Sequence, residues 1–211
     1  NIELYALPKL YEKLSIGTSP HNFRGIFAYR NFWIQNEARE FYVKADSEWF
    51  SFDLEKGRPG KITEELIAPF KEREDVLHLP PLQRKIAFPE SYQEGEFIPV
   101  VQDFLDTNHH MNNAKYIALA EEVIFQCTGK PAIEFTDSGE RFESSEEVKK
   151  QEKVDSKREF YSIRAEYVKA YTLGDCIFPR VAIEEDRTVV AFYNQNKELC
   201  CHVEIRKNPD A

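Results

Sequence analysis

Apolar residues in this chain fall mostly into short alternating runs separated by turn residues, the pattern of strands rather than long helices. Ile2 to Leu7 is an apolar run closed by Pro8, and Glu12 to Thr18 alternates until Ser19-Pro20. Gly25 to Ile34 is rich in aromatic and β-branched side chains, Asn36-Glu37 reads as a turn, and Arg39 to Leu54 reads as a long returning strand. In that strand Phe41, Val43 and Ala45 share a face, and Trp49 lies beyond the polar run Asp46-Ser47-Glu48. Lys56 to Gly60 is a turn, so this half is an antiparallel meander. Thr63, followed by Glu64 and Glu65, predicts a short helix to about Phe70. Residues 71–95 carry charges and the prolines Pro80, Pro81 and Pro89, which marks a crossing between two units.

The second half opens with an apolar run, Glu96 to Leu105, expected as a strand. Asn112 is placed to cap a helix from Asn113 to Cys127. On that helix Lys115, Glu122 and Gln126 form one narrow polar stripe and Glu121 lies apart, while most other positions are apolar. A helix of this kind has to be surrounded on most sides, as by a strongly curved sheet. Residues 128–158 are polar and charged and predict a solvated excursion. Strands follow at Phe160 to Tyr171, Asp175 to Glu184, Thr188 to Asn194 and Leu199 to Arg206, the last two joined by a turn at Gln195-Asn196-Lys197. Pro179 predicts an edge or bulge position. Residues 12–54 and 160–206 form a weak internal repeat of antiparallel meanders, the second preceded by a strand, a loop and a helix and the first by nothing. The resulting layout is a partial N-terminal unit at 1–75, a linker at 76–95 and a C-terminal unit at 96–211, in the α+β class. The first unit is expected to lack its own first strand and helix, in keeping with a chain that starts at Asn1 without methionine.

Composition narrows the function. The 211 residues are 42% hydrophobic and 13% aromatic, with 16 Phe and 10 Tyr against one Met, which favours a strand-rich core. A net charge of -9 argues against general nucleic-acid binding. No run of about 18 apolar residues exists to span a membrane, and no signal peptide is expected. Cys127, Cys176, Cys200 and Cys201 make no CxxC pair, which predicts reduced thiols in a cytoplasmic protein. Cys127 is read as core.

One stretch concentrates reactive side chains: Asp103-Phe104-Leu105-Asp106-Thr107-Asn108-His109-His110-Met111-Asn112-Asn113-Ala114-Lys115-Tyr116. Asp106, Asn108 and His110 alternate, so in an extended loop their carboxylate, amide and imidazole would point the same way. They lie just before a helix N-terminus, whose free amides and positive dipole end suit a developing oxyanion. Asp106 or His110 could activate water while Asn108 orients it, with Asn112 and Asn113 at the oxyanion site. The alternative is purely structural: Asp106 and Asn108 form Asx turns and Asn112 caps the helix. Metal ligation is not expected, because adjacent His109 and His110 would seldom face one ion.

The segment LDTNHHMNNAKYI resembles the LDxNxHxNNxKYI signature of the acyl-ACP thioesterases at every fixed position. Ala28-Tyr29-Arg30-Asn31-Phe32-Trp33-Ile34 resembles the family's AYRxFxI strand, and Asp53-Leu54 to Arg58-Pro59 its DLxxxRP turn. The resemblance implies tandem hot-dog domains, each a curved antiparallel sheet wrapped on a central helix. It implies hydrolysis of fatty acyl-ACP in fatty acid biosynthesis, without a cofactor. The partner it implies is acyl carrier protein bearing a fatty acyl phosphopantetheine thioester. By motif, the catalytic residues are Asp106, Asn108 and His110, and the acyl chain lies in a tunnel involving the N-terminal unit.

One departure stands out. Where the family has a stretch like EYRREC, this chain reads Glu166-Tyr167-Val168-Lys169-Ala170-Tyr171, with Ala170 at the acidic position and Tyr171 at the cysteine. Either that acid is dispensable, or Glu166 or another acid substitutes, or activity is reduced; a Cys–His pair is not supported. The departure keeps a second function open, a non-catalytic hot-dog protein that senses acyl-ACP or acyl-CoA; a hot-dog dehydratase fits less well. His21, His78 and His202 are expected at the surface or in loops, and Tyr29, Phe32 and Trp33 in the core, one face of them lining the acyl tunnel. The run Lys149 to Arg158 reads as a solvated face, with docking of an acidic carrier, shared with Arg24, Arg30, Arg84 and Lys85, as the alternative. An incomplete first unit would expose apolar surface and favour a homodimer.

Overall fold

The computed structural model describes residues 1–70, 77, 79–81, 85–135 and 160–208. His78, Arg84 and the run Lys149 to Arg158 lie outside the described residues. The chain divides into two compact units, one running from Asn1 to Leu82 and the other beginning at Gln83.

The first unit contains β1 (Ile2–Leu4), β2 (Leu14–Arg24), β3 (Phe27–Asn36) and β4 (Phe41–Phe50). They form an antiparallel sheet in the order β2-β3-β4-β1. A small hairpin of β5 (Phe52–Asp53) and β6 (Arg58–Pro59) follows, then α1 (Glu64–Ile67) and a 3-10 turn. Thr63 precedes α1 but makes no side-chain cap bond.

Two strand limits differ from expectation. β2 does not stop at Ser19-Pro20: it runs through them with a register shift between Pro20 and Asn22, so the proline falls at a bulge. β4 covers Phe41–Phe50 rather than the predicted Arg39 to Leu54, and the polar run Asp46-Ser47-Glu48 sits inside it, the buried Asp46 having partners on the sheet in His21 at 2.8 Å and Asn31 at 3.3 Å. His21 is therefore a strand residue paired to a carboxylate, not an isolated surface histidine. A Cβ on Gly17 would come within 2.0 Å of the Trp33 indole on the paired strand, so the indole packs where a side chain would stand.

The second unit contains β7 (Gln93–Glu94), β8 (Ile98–Pro99), α2 (Asn113–Thr128), β9 (Phe160–Tyr167), β10 (Cys176–Ile183), β11 (Thr188–Tyr193) and β12 (Leu199–Asn208). Its sheet is ordered β9-β12-β11-β10, with β7 and β8 on the outer edge of β10. β9 stands to β12 as β1 stands to β4, and β10-β11-β12 repeats β2-β3-β4, so the repeat includes Ile2–Leu4 as well as the later meander. Among the described residues, the first unit carries no helix comparable to α2.

The predicted strand over Glu96 to Leu105 is reduced to the two residues of β8. Beyond it a 3-10 turn (Gln102–Phe104) satisfies the backbone, the amides of Phe104 and Leu105 returning to Val101 and Gln102. Pro179 accepts Gly95 N–H at 3.0 Å on the outer edge of β10, where its own missing amide costs the β10–β11 ladder nothing.

Cross-strand partners share a face, so register sorts the sheet into two sides. The rows Val181, Val190, Val203, Ala165 and Pro179, Phe192, Cys201, Tyr167 face α2, as the contact of Tyr116 with Phe192 at 6.2 Å shows. α2 buries Tyr116, Ala120, Val123 and Ile124, whereas Phe125 is 51% exposed. The helix thus buries one face and is not enclosed on most sides as its composition implied.

The opposite sheet face carries Arg164, Glu166, His202 and Glu204 under residues 85–88. Arg164 donates to Lys85 O, Ile86 N–H donates to Glu166 at 2.8 Å, and Phe88 stacks on His202 at 5.7 Å. His202 is thus buried inside a strand, contrary to the surface position expected for it. Its Nδ1 lies 3.7 Å from Glu166, too far for a hydrogen bond, and neither ring nitrogen has a partner among the described residues. Burial lowers its proton affinity against the weaker opposing pull of Glu166.

A histidine of this kind binds its proton less tightly folded than unfolded. Stability therefore falls as pH drops below the ordinary imidazole value of about 6.5 and is regained above it. Between about pH 8 and about pH 5.5, the denaturation midpoint of the native chain is expected to fall further than that of His202→Gln; parallel slopes would show that His202 carries none of the dependence.

Candidate functional site

The stretch Asp103–Tyr116 folds as a closed loop followed by the first turn of α2. Leu105 and Met111 form an isolated antiparallel bridge, and between them Asp106 N–H donates to His110 O at 2.8 Å and His109 N–H to Asp106 O at 3.0 Å. His109 occupies the left-handed region with φ 59. The loop is therefore a tight reversal. The expectation of an extended segment with Asp106, Asn108 and His110 aligned by alternation does not hold, because that alternation belongs to strands.

The structure brings these residues together differently. Asp106 Oδ1 accepts the amides of Asn108 at 2.8 Å and His110 at 3.3 Å, an Asx-type arrangement in which the carboxylate organises the loop backbone. Its Oδ2 has no hydrogen-bond partner among the described residues. Asn108, His109 and His110 are exposed and Asp106 is half-buried.

Asn112 caps α2, its side chain accepting Ala114 N–H at 2.9 Å while its carbonyl accepts Lys115 N–H. That leaves the Asn113 amide as the first-turn donor without a partner among the described residues. The helix ends on Gly129, left-handed at φ 69, whose N–H returns to Phe125 O. Lys115 pairs with Asp103 at 2.7 Å, which holds the Asp103 carboxyl below the usual range.

The loop is fastened to the chain after β9: Met111 N–H donates to Tyr171 O at 2.9 Å, and Tyr171 N–H to Tyr116 Oη at 3.3 Å. Tyr171, at the family's cysteine position, is fully buried, and burial pushes its phenol far above the usual range. Exposed Ala170 is next to this anchor and brings no carboxylate. Glu166 does not replace it, since its carboxylate is engaged by Ile86 N–H and lies beside His202. In the sequence Tyr116, Tyr167 and Tyr171 appeared only as positions in the motif or in the departing stretch, and none was read as holding the loop. Their signal was aromatic residues flanking the motifs, which is equally the signal of core.

Among the described residues no group of three His, Cys, Asp or Glu side chains is arranged to hold a metal ion, and no helix is long and apolar enough to cross a membrane. The thiols are free; burial raises those of Cys200 and Cys201, which opposes nucleophile chemistry there.

The first unit contributes an apolar groove of about 460 Å³ lined by Pro20, Phe23, Ala28, Tyr29, Phe32, Trp49 and Phe70, with Thr18 and Arg30 as its polar members. Tyr29 and Phe32 thus line a groove, whereas Trp33 lies over Gly17.

Replacing Asn112 with Ala removes the cap and is expected to cost about 1 kcal/mol in denaturant unfolding, while Asn112→Asp, which keeps an acceptor at the helix N-terminus, retains most of it. Equal losses in both variants would show that the side chain does not act as a cap.

Residues 1–70 match the family model of the acyl-ACP thioesterase N-terminal domain. Comparison with curated proteins gives no significant match. Among solved structures, the chain is similar to an acyl-ACP thioesterase from Bacteroides thetaiotaomicron, with 21% identity, TM-score 0.66, and coverage of 98% of this chain and 73% of that one. It is similar to a provisionally assigned oleoyl thioesterase from Lactobacillus plantarum, with 21% identity, TM-score 0.68, and coverage of 100% and 74%. The 12:0-ACP thioesterase from Umbellularia californica aligns with 14% identity, TM-score 0.62, and coverage of 99% and 73%. These likenesses establish the fold, which is the tandem hot-dog arrangement.

Proposed function

We propose that this chain, whose residues 1–70 match the family model of the acyl-ACP thioesterase N-terminal domain, hydrolyses the thioester of a fatty acyl group carried on the phosphopantetheine arm of acyl carrier protein. The observation that carries the reading is the loop 106–110 before α2, exposed at 107–110, with Asp106 Oδ2 and the Asn113 amide both uncommitted among the described residues. Family and fold support it, and the apolar groove of the first unit suits an alkyl chain. The setting proposed is fatty acid biosynthesis in the cytoplasm.

Asp106 Oδ2 takes the proton of a water molecule, or attacks directly, while Oδ1 keeps the loop in shape. Asn108 positions the attacking group. The thioester carbonyl oxygen meets the Asn113 amide at the positive end of α2, and Asn112 holds that end in register. As the tetrahedral intermediate collapses, the C–S bond breaks and His110 relays a proton to the departing thiolate.

Single turnover in ¹⁸O-labelled water separates the two routes, since label entering the Asp106 carboxylate requires an acyl-Asp anhydride. Asp106→Ala and His110→Ala are each expected to lower kcat/KM on acyl-ACP by about 10²-fold or more, and full hydrolysis by both would sink the reading.

A second reading, an acyl-ACP or acyl-CoA sensor, is favoured by one observation: Ala170 leaves the loop with Asp106 as its own carboxylate and no acid from the adjoining segment. Tight binding of acyl-ACP without release of free fatty acid would establish it.

A further inference from the structure

Three hydrogen bonds join residues 103–116 to residues 167–171, and two of them use tyrosine hydroxyls. Met111 N–H donates to Tyr171 O at 2.9 Å, Tyr171 N–H to Tyr116 Oη at 3.3 Å, and Tyr167 Oη to Asn113 O at 3.0 Å. The Tyr116 ring is 2% exposed and lies 5.4 Å from Tyr167, 5.9 Å from Tyr171 and 6.2 Å from Phe192. Its position is over-determined by packing, so its hydroxyl is a fixed acceptor rather than a rotating one. Tyr167 sits at the end of β9, paired with Cys201 of β12, and a sheet strand therefore delivers its hydroxyl to the first residue of α2.

We propose that Tyr116 and Tyr167 are positioning residues for the candidate site. Tyr167 holds Asn113, the residue whose amide is the oxyanion donor, and Tyr116 holds Tyr171, whose carbonyl holds Met111 at the end of the Asp106 loop. Together they support from outside the loop the spacing between the Asp106 carboxylate and the Asn113 amide, which within the loop is held by Asn112 N–H on Phe104 O at 2.8 Å and the Leu105–Met111 bridge. The inference rests on the hydrolase reading for its effect on rate, and on the hydrogen bonds alone for its effect on loop order. Neither hydroxyl needs to touch substrate. Reactions that depend on an oxyanion donor lose rate when that donor is displaced by even part of an ångström.

The test uses Tyr116→Phe and Tyr167→Phe in the full chain, each of which keeps the ring and removes the hydroxyl. Two readouts are taken: kcat and KM on acyl-ACP, and deuterium exchange of the backbone at 106–115. Each variant is expected to lose about five- to tenfold in kcat with KM within about twofold, and to exchange faster at 106–115, with the melting midpoint lowered by no more than about 2–4 °C. Unchanged kcat overturns the proposal, whatever the exchange shows. A fall in kcat with unchanged exchange also overturns it, because the hydroxyl then acts on substrate directly. If the native chain releases no fatty acid, the hydrolase reading fails on its own. Exchange then decides whether the hydroxyls hold the loop, and equal rates in native and variant chains overturn that as well.

Discussion

Burial of one face of α2 on the row Pro179, Phe192, Cys201 and Tyr167 is the constraint on which the second unit depends. Tyr116, Ala120, Val123 and Ile124 have to leave water together, and the apolar sheet face is where they can do so. Once that face is docked, the N-terminus of α2 has no freedom to rotate or slide. The Asn113 amide then points to a fixed place. A reactive loop attached to a docked helix inherits its precision from the core, which a loop with only its own turns to support it would lack.

The loop itself spends part of its chemistry on shape. Asp106 uses one carboxylate oxygen to gather two backbone amides, which keeps the reversal closed around a left-handed His109. A carboxylate held this way is oriented before substrate arrives, and its second oxygen is aimed by the first. The structural and the catalytic readings of Asp106 are therefore not competitors: the Asx turn is what would make a base or nucleophile out of an otherwise exposed side chain.

Local signals in the sequence translated well and non-local ones did not. The helix, expected over 113–127 and found over 113–128, and its Asn112 cap depend on neighbours a few residues away and were readable, whereas its stop at Gly129 was not read. The meanders were readable because alternation and turn residues are also local. The extended loop around Asp106 was misread, since a carboxylate folding back on its own backbone overrides the period of two. The strand at Glu96 to Leu105 was misread because an apolar run satisfied by a 3-10 turn has the composition of a buried strand. Nothing near His202 in the sequence announces that Phe88, more than a hundred residues earlier, stacks on it. Burial of a polar strand residue is decided by what crosses over it.

Ala170 is where local and non-local readings meet. From sequence, the missing acid could have been supplied by Glu166, four residues earlier. The fold removes that option, because Glu166 sits on the sheet face opposite α2 and accepts Ile86 N–H there. Its partner in the register, His202, is on that same far face. What remains beside the loop is Tyr171, buried, with its carbonyl turned to Met111 and its phenol strongly disfavoured as an anion. The segment around Tyr171 therefore braces the loop, and under the proposed hydrolysis proton transfer would fall to residues 106–110. Under the proposed function, a site with one carboxylate could still run hydrolysis if that carboxylate is oriented and the oxyanion is met by a fixed amide, and both would depend on the brace.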